Sequence, residues 1–335
     1  MPHIFIADLK PGDRVSQFFL IKKKERRRTR TGKDYLDVLL ADRTGSLGAK
    51  IWSEVLNQVD PLFLEGQFAG VAGKVESFQD DLQLTIEKIK GVTFMDPEQI
   101  QKAGFEMDLL IPRTDLDIPA AWEALLAGVE AEVEPPSLKA LTLSLLHSHQ
   151  ETFTQWPASK MYHHAYWGGL LEHTFRVFQL AREVIRFYPE LHKGLVLAGA
   201  ALHDIGKLKE LEGVLSTDNS YEGQLLGHVT LGWEMVREAA KGHSWEDPNI
   251  LTQLEHILLS HHGQLEFGSP ILPQTREALL VHMLDDLEGK LKMMSDHLEQ
   301  ARGEGNFTDW HRVLKRRIVK NRRPGKEPGE LGPGV

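Results

Sequence analysis

His203 and Asp204 stand side by side at the end of LVLAGAALHDIGKL, a run of small and apolar residues, with Gly206 placed to stop the helix and Lys207 just beyond. A polar pair buried there without partners costs several kcal/mol, so other residues must satisfy it. Candidate partners interrupt other helix-period apolar runs: His173 in GGLLEHTFRVF, His228 in GQLLGHVTLGW, His261 and His262 in ILLSHHGQLEFGSP, and Asp285 in LVHMLDDLEG. Any one of these alone reads more readily as a hydrogen-bonded core histidine or a capping carboxylate than as a ligand. Together, and in this order, they read as imidazole and carboxylate ligands of a metal. The chain has no cysteine, which excludes thiolate zinc sites, thiol nucleophiles and disulfides. A bound cation can activate a water, so hydrolysis would need no nucleophilic side chain. Lys207 has two readings, a positive charge for the phosphate or leaving oxygen and a solvated lysine at a helix C-terminus.

Residues close to His173 extend the candidate site. The glycines of Gly168-Gly169 would let backbone approach a ligand, and His163 or His164 would bind phosphate or protonate a leaving group. Two adjacent histidines beside aromatic residues also suit simple packing at a helix start. Glu266-Phe267-Gly268-Ser269-Pro270 reads as an ordered loop, with Ser269 as a substrate contact or the whole as turn chemistry.

A chain of 335 residues with 41% hydrophobic content is long enough for two domains with separate cores. From Phe18 to Val92, short alternating runs (FFLIKKKE, YLDVLLADRTG, LGAKIW, FAGVAGKVESF, DLQLTIEKIKGV) predict about five strands. Turn chemistry at Asp42-Arg43-Thr44-Gly45 and Gln79-Asp80-Asp81 predicts antiparallel pairing of consecutive strands. That is the size of an OB-fold barrel, although a small sandwich or SH3-like barrel shares the periodicity. Beyond Asp96 the period becomes helical. The expected organisation is therefore multi-domain: an all-β OB-fold barrel over residues 1–95, a helical connector over 96–136, an all-α domain over 137–310 and a basic, disordered tail over 311–335. Pro135-Pro136 mark a break, with Ser137 as an N-cap.

The net charge of −9 conceals a segregation. Residues 1–95 carry 15 basic and 13 acidic side chains, residues 96–310 carry 16 and 33, and residues 311–335 carry 8 and 2. KKKERRRTRTGK, residues 22–33, places eight Lys/Arg in twelve positions, read as a loop between the first two strands. Lys22, Lys23, Lys24, Arg26, Arg27, Arg28, Arg30 and Lys33 would contact phosphates there, with Tyr35 and Trp52 as stacking surfaces for bases. The basic run from Arg312 to Lys326 would track the strand or stand as a solvated tail. The opening residues lack a basic and apolar leader, and no stretch approaches a membrane span. A soluble, cytoplasmic protein with no membrane partner is expected.

The order His173, His203-Asp204, Lys207, His228, His261, Asp285 resembles the HD superfamily of metal-dependent phosphohydrolases, in the version whose extra histidines bind a second metal. More narrowly, HHAYWGGLLEHT, LHDIGK, GHV, HHGQLEFGSPILPQT and the aspartate of HMLDDLEGK resemble the YhaM family of 3′-to-5′ exoribonucleases, which also carries an OB-fold ahead of its HD domain. The resemblance implies that His173, His203, Asp204 and Asp285 hold one metal, with Asp204 bridging to a second held by His228 and His261. His262 remains open as an alternative ligand, a substrate contact or a support for a ligand. It also favours the phosphate-directed reading of Lys207. Two divalent ions are implied, Mn²⁺ first, with Fe, Ni or Mg²⁺ as alternatives. The implied activity is 3′-to-5′ degradation of single-stranded RNA, with single-stranded DNA left open, to 5′-mononucleotides. Two rival readings are a nucleotide or cyclic-dinucleotide phosphohydrolase with a regulatory barrel and a non-catalytic RNA-binding protein.

Overall fold

The computed structural model describes residues 3–29, 31–59, 62–78, 81–159, 164–212, 219–299, 301 and 305–320. Five strands, β1 Arg14–Arg28, β2 Asp34–Asp42, β3 Gly45–Ile51, β4 Phe68–Phe78 and β5 Asp81–Gly91, form a closed barrel in the order β1-β2-β3-β5-β4. The alternation read from the sequence points Phe19, Ile21, Leu36, Val38, Leu40, Val71, Leu84 and Ile86 inward. Fully burying each such side chain stabilises by about 1.5–3 kcal/mol, and closure removes the free edges of the sheet.

Two expectations change. β3 and β4 are consecutive but do not pair; helix α1, Ser53–Val59, separates them, and β3 runs parallel to β5. The KKKERRR run is strand, not loop. β1 is long enough to pair with β4 through its first half and with β2 through its second, with a register shift between Ile21 and Lys23. Strand pairing uses only backbone, so an outward face accepts charge freely. The β2–β3 turn behaves as its sequence suggests: Asp42 Oδ1 accepts from the Thr44 N–H at 2.8 Å and hydroxyl at 2.6 Å. Gln79 and Asp80 of the other turn lie outside the described residues.

The remaining helices are α2 Pro97–Lys102, α3 Ile118–Glu132, α4 Pro136–Ser148, α5 Gln150–Gln155, α6 Gly169–Val184, α7 Lys193–Leu202, α8 Lys207–Glu210, α9 Tyr221–Ala240, α10 Pro248–Ser260 and α11 Arg276–Glu299. α7 is the central element, buried from Gly194 to Leu202 and packed by α4, α6, α10 and α11. Its small residues let these neighbours approach closely.

α3, within the expected connector, adds Trp122, Leu125 and Val129 to the helical core. Pro135, not Ser137, occupies the N-cap position of α4 and makes no side-chain capping bond; the Ser137 N–H and hydroxyl instead donate to Glu246. Part of the expected disordered tail is docked, with Leu314 and Ile318 buried beside Met293 of α11. Residues 321–335 lie outside the described residues. No described helix is long and apolar enough to cross a membrane.

Candidate metal centre and nucleic-acid face

Five helices deliver the candidate ligands to one place. His173 lies in the second turn of α6, His203 and Asp204 follow the end of α7, and His261 and His262 follow α10. Asp285 lies on α11, and His228 follows a break in α9 at Gly227, where φ is 70°. Gly206 does not stop a helix through left-handed backbone, since its φ is −64°. It permits contact: a Cβ there would fall 1.9 Å from the carbonyl oxygen of His228. Glycine thus lets the turn carrying Asp204 lie against the backbone carrying His228.

Each histidine has its Nδ1 held by an oxygen. His203, His261 and His262 face the carbonyls of Ala200, Leu258 and Phe267 at 3.0, 2.7 and 2.6 Å. His173 faces Glu288 at 2.6 Å and His228 faces Glu210 at 3.1 Å. Carbonyls and carboxylates only accept, so Nδ1 carries the proton and each Nε2 is left as a donor of electrons.

The Nε2 atoms converge on Asp204. Those of His173 and His203 lie 3.5 Å from Oδ2, and those of His228 and His261 lie 3.5 and 3.7 Å from Oδ1. Asp285 Oδ1 joins the first set, 3.1 Å from His173 Nε2. His262 joins the second, its Nε2 3.2 Å from that of His228, so it stands with His261 rather than in its place.

The chemistry of this set fits cations. Ligands about 2.1 Å from one ion lie roughly 3.0–3.4 Å apart, close to the spacing here, and groups of three ligand atoms occur in both sets. His261 Nε2 is buried without a hydrogen-bond partner. Three carboxylates, Asp204, Asp285 and Glu288, stand among these rings, and Lys207 pairs with Asp204. Burial opposes charge on His173, but hydrogen bonds to Asp285 and Glu288 outweigh it and push its pKa up to about 10, so a cation binding there would displace the proton from its Nε2. Burial would also raise Asp204, yet Lys207, His203 and His228 hold it well below the usual carboxylate range. His261 and His203 are lowered by burial, which favours the neutral rings that ligate metals.

Several predicted contacts have other surroundings. Lys207 is nearly buried, with Nζ 2.6 Å from Asp204 Oδ2, so its charge is already engaged. His164 is fully buried between Tyr166 and Glu288 and presents no open nitrogen to substrate. The close approach at Gly168 and Gly169 is to the chain itself: a Cβ on Gly169 would sit 2.0 Å from the His164 carbonyl oxygen, and Gly168 caps α6 at φ 77°. Ser269 is buried with its hydroxyl unpartnered. His163 lies outside the described residues. Glu288 and Glu210 lie outside the residues singled out from the sequence; Glu288 carries a signal there, because three residues after Asp285 on a helix is the same face.

On the barrel, cross-strand register aligns Arg27 with Tyr35, and Glu25 with Asp37 and Lys50. Tyr35 and Trp52 rings lie 5.4 Å apart, with Lys50 Nζ 5.4 and 5.6 Å from their centroids. Lys23 also projects here, against Glu25. The expected cations are not equivalent. Lys24 bonds the Phe63 carbonyl at 3.0 Å, Arg26 and Arg28 pair with Asp34, and Lys33 pairs with Glu54. Lys22 is half-buried and burial lowers its pKa. Arg30 lies outside the described residues. Such exposed pairs are weak and can exchange a carboxylate for a phosphate.

The fold and the site define a class: a metal-binding HD hydrolase domain behind an OB-fold barrel. A family model described as HD domain matches residues 170–290, and one described as OB-fold nucleic acid binding domain matches residues 21–91. The chain is 34% identical over 302 residues to the 3′-5′ exoribonuclease YhaM of Oceanobacillus iheyensis, covering 89% of this chain and 90% of that one. It is 31% identical over 323 residues to the 3′-5′ exoribonuclease YhaM of Shouchella clausii, covering 96% and 97%. The chain belongs to the YhaM family. Among solved structures, the second OB-fold domain of replication protein A from Methanococcus maripaludis covers 27% of this chain and 93% of that one, at 21% identity and a TM-score of 0.23.

Proposed function

We propose that this chain is a metal-dependent 3′-to-5′ exoribonuclease that shortens single-stranded RNA, and single-stranded DNA as a second substrate, to 5′-mononucleotides. The observation that carries the reading is the division of imidazole Nε2 atoms between the two oxygens of Asp204. His173, His203, Asp204 and Asp285 would hold one divalent ion, and Asp204, His228, His261 and His262 a second, with Mn²⁺ as the preferred ion for mixed nitrogen and oxygen donors. Such ions supply an activated water and neutralise charge on the phosphoryl oxygens. The protein's own part is to fix each ring with its Nε2 inward and to keep Asp204 ionised through Lys207. The barrel face holds the strand by phosphate contacts and stacking, without reading sequence.

The direct test is MnCl₂-supplemented digestion of single-stranded RNA and DNA labelled at the 5′ end. A ladder shortening from the 3′ end, with 5′-mononucleotides released, is expected. Immediate release of the labelled nucleotide, or hydrolysis of small nucleotides alone, would overturn the proposal. The two sites can be separated: His228→Ala and His261→Ala are each expected to leave about one metal per chain by elemental analysis. Retention of both metals at ordinary affinity in these variants would refute the second ligand set.

A further inference from the structure

We propose that His164 is a positioning residue for the metal centre, setting the ring of His173 through Glu288. The inference rests on the metal-binding reading above. Glu288 receives two histidines: Oε2 lies 2.6 Å from His173 Nδ1, and Oε1 lies 2.9 Å from His164 Nε2. A carboxylate serving one partner can swing about its broad terminal torsion. One held by donors on both oxygens cannot, and the ring it orients is fixed in turn.

The far side of His164 closes the arrangement into a circuit. Its Nδ1 lies 2.7 Å from the Tyr166 hydroxyl, which donates to Glu172 Oε2 at 2.8 Å. Thr114 and Arg176 also donate to Glu172. Glu172 immediately precedes His173 on α6, so the path leaves α6 at His173, crosses α11 at Glu288, and returns through His164 and Tyr166 to the neighbouring residue of α6. His164 adopts a φ of 49°, unusual for a residue with a side chain. The bare Gly169 makes room for its carbonyl, since any Cβ there would lie 2.0 Å away. His164 and Glu288 are buried, so water does not readily replace a lost partner.

The test is calorimetric titration of the metal-stripped, full-length protein with MnCl₂, comparing wild type, His164→Leu, His164→Gln and Tyr166→Phe. Loss of a supporting partner typically costs about 10–100-fold in metal affinity. One of two binding events in His164→Leu is expected to weaken by that factor while the other holds. His164→Gln, whose amide can still donate to Glu288, should recover most of the loss, and Tyr166→Phe should show a smaller one. Turnover should fall at limiting MnCl₂ and recover at saturating MnCl₂, with KM for RNA unchanged. A folded His164→Leu protein with both affinities intact would overturn the inference, as would equal weakening of both events that His164→Gln fails to rescue. Should His164→Leu not fold, Tyr166→Phe decides: one weakened event supports the circuit and none refutes it. Wild type that takes up no Mn²⁺ would refute the metal reading instead.

Discussion

Asp204→Asn is expected to lower RNA hydrolysis by at least about 10³-fold, with the fold retained and metal content reduced at both sites. The two oxygens of Asp204 face different pairs of imidazole Nε2 atoms, with His173 and His203 at Oδ2 and His228 and His261 at Oδ1. Metal ions contribute several kcal/mol of charge stabilisation to phosphoryl transfer, and each 1.36 kcal/mol is tenfold in rate. Asparagine is the more informative replacement, because it keeps the shape and can still accept from Lys207. Asp204→Ala should lose activity as well, but it also strands the nearly buried Lys207 ammonium. Leaving a buried charge unpaired costs about 3–5 kcal/mol, so its melting temperature should fall further than that of the asparagine variant. Steady-state kinetics with elemental analysis on both variants checks this. Near-normal turnover in folded Asp204→Asn under matched metal would exclude a shared carboxylate.

The cluster of candidate ligands was legible because metals demand few residue types, and a histidine or aspartate interrupting an apolar helical run is conspicuous. His173, His203, His228, His261 and Asp285 each carried that signal. Their supports were less visible. The carbonyls of Ala200, Leu258 and Phe267 have no side-chain signature at all, and Glu210 looks like any acid at a helix end. His164 meets Tyr166 and Glu288, a neighbourhood invisible in the sequence, which does not say whether a histidine near a candidate ligand faces solvent or the protein. On the barrel, alternation revealed the strands but not their order, because the β3–β5 pairing is non-local. Dense charge suggested a loop in a segment that is half of a long strand.

Reassigning the basic run from loop to strand changes which cations should matter for RNA. Successive strand residues face opposite sides, so Lys23 and Arg27 share the outer face with Tyr35, Lys50 and Trp52, whereas Lys24 turns to the Phe63 carbonyl and ring. Changing Lys23, Arg27 and Lys50 to glutamine is expected to weaken binding of a roughly 20-nucleotide RNA and to make the salt dependence shallower by about 2, from about 0.7 per phosphate contact on a single strand. Trp52→Ala should cost about 1–3 kcal/mol through lost base stacking while leaving the salt slope as it was. The two variants therefore separate charge from stacking on one surface. Hydrolysis of a dinucleotide should be spared in both, because a dinucleotide can occupy the metal centre without reaching the barrel. Binding isotherms between 50 and 200 mM salt, paired with dinucleotide kinetics, make the comparison. If the triple variant binds the long RNA with unchanged affinity and slope, the cations on this face are only partners for Glu25 and Asp37, and the strand must be held elsewhere.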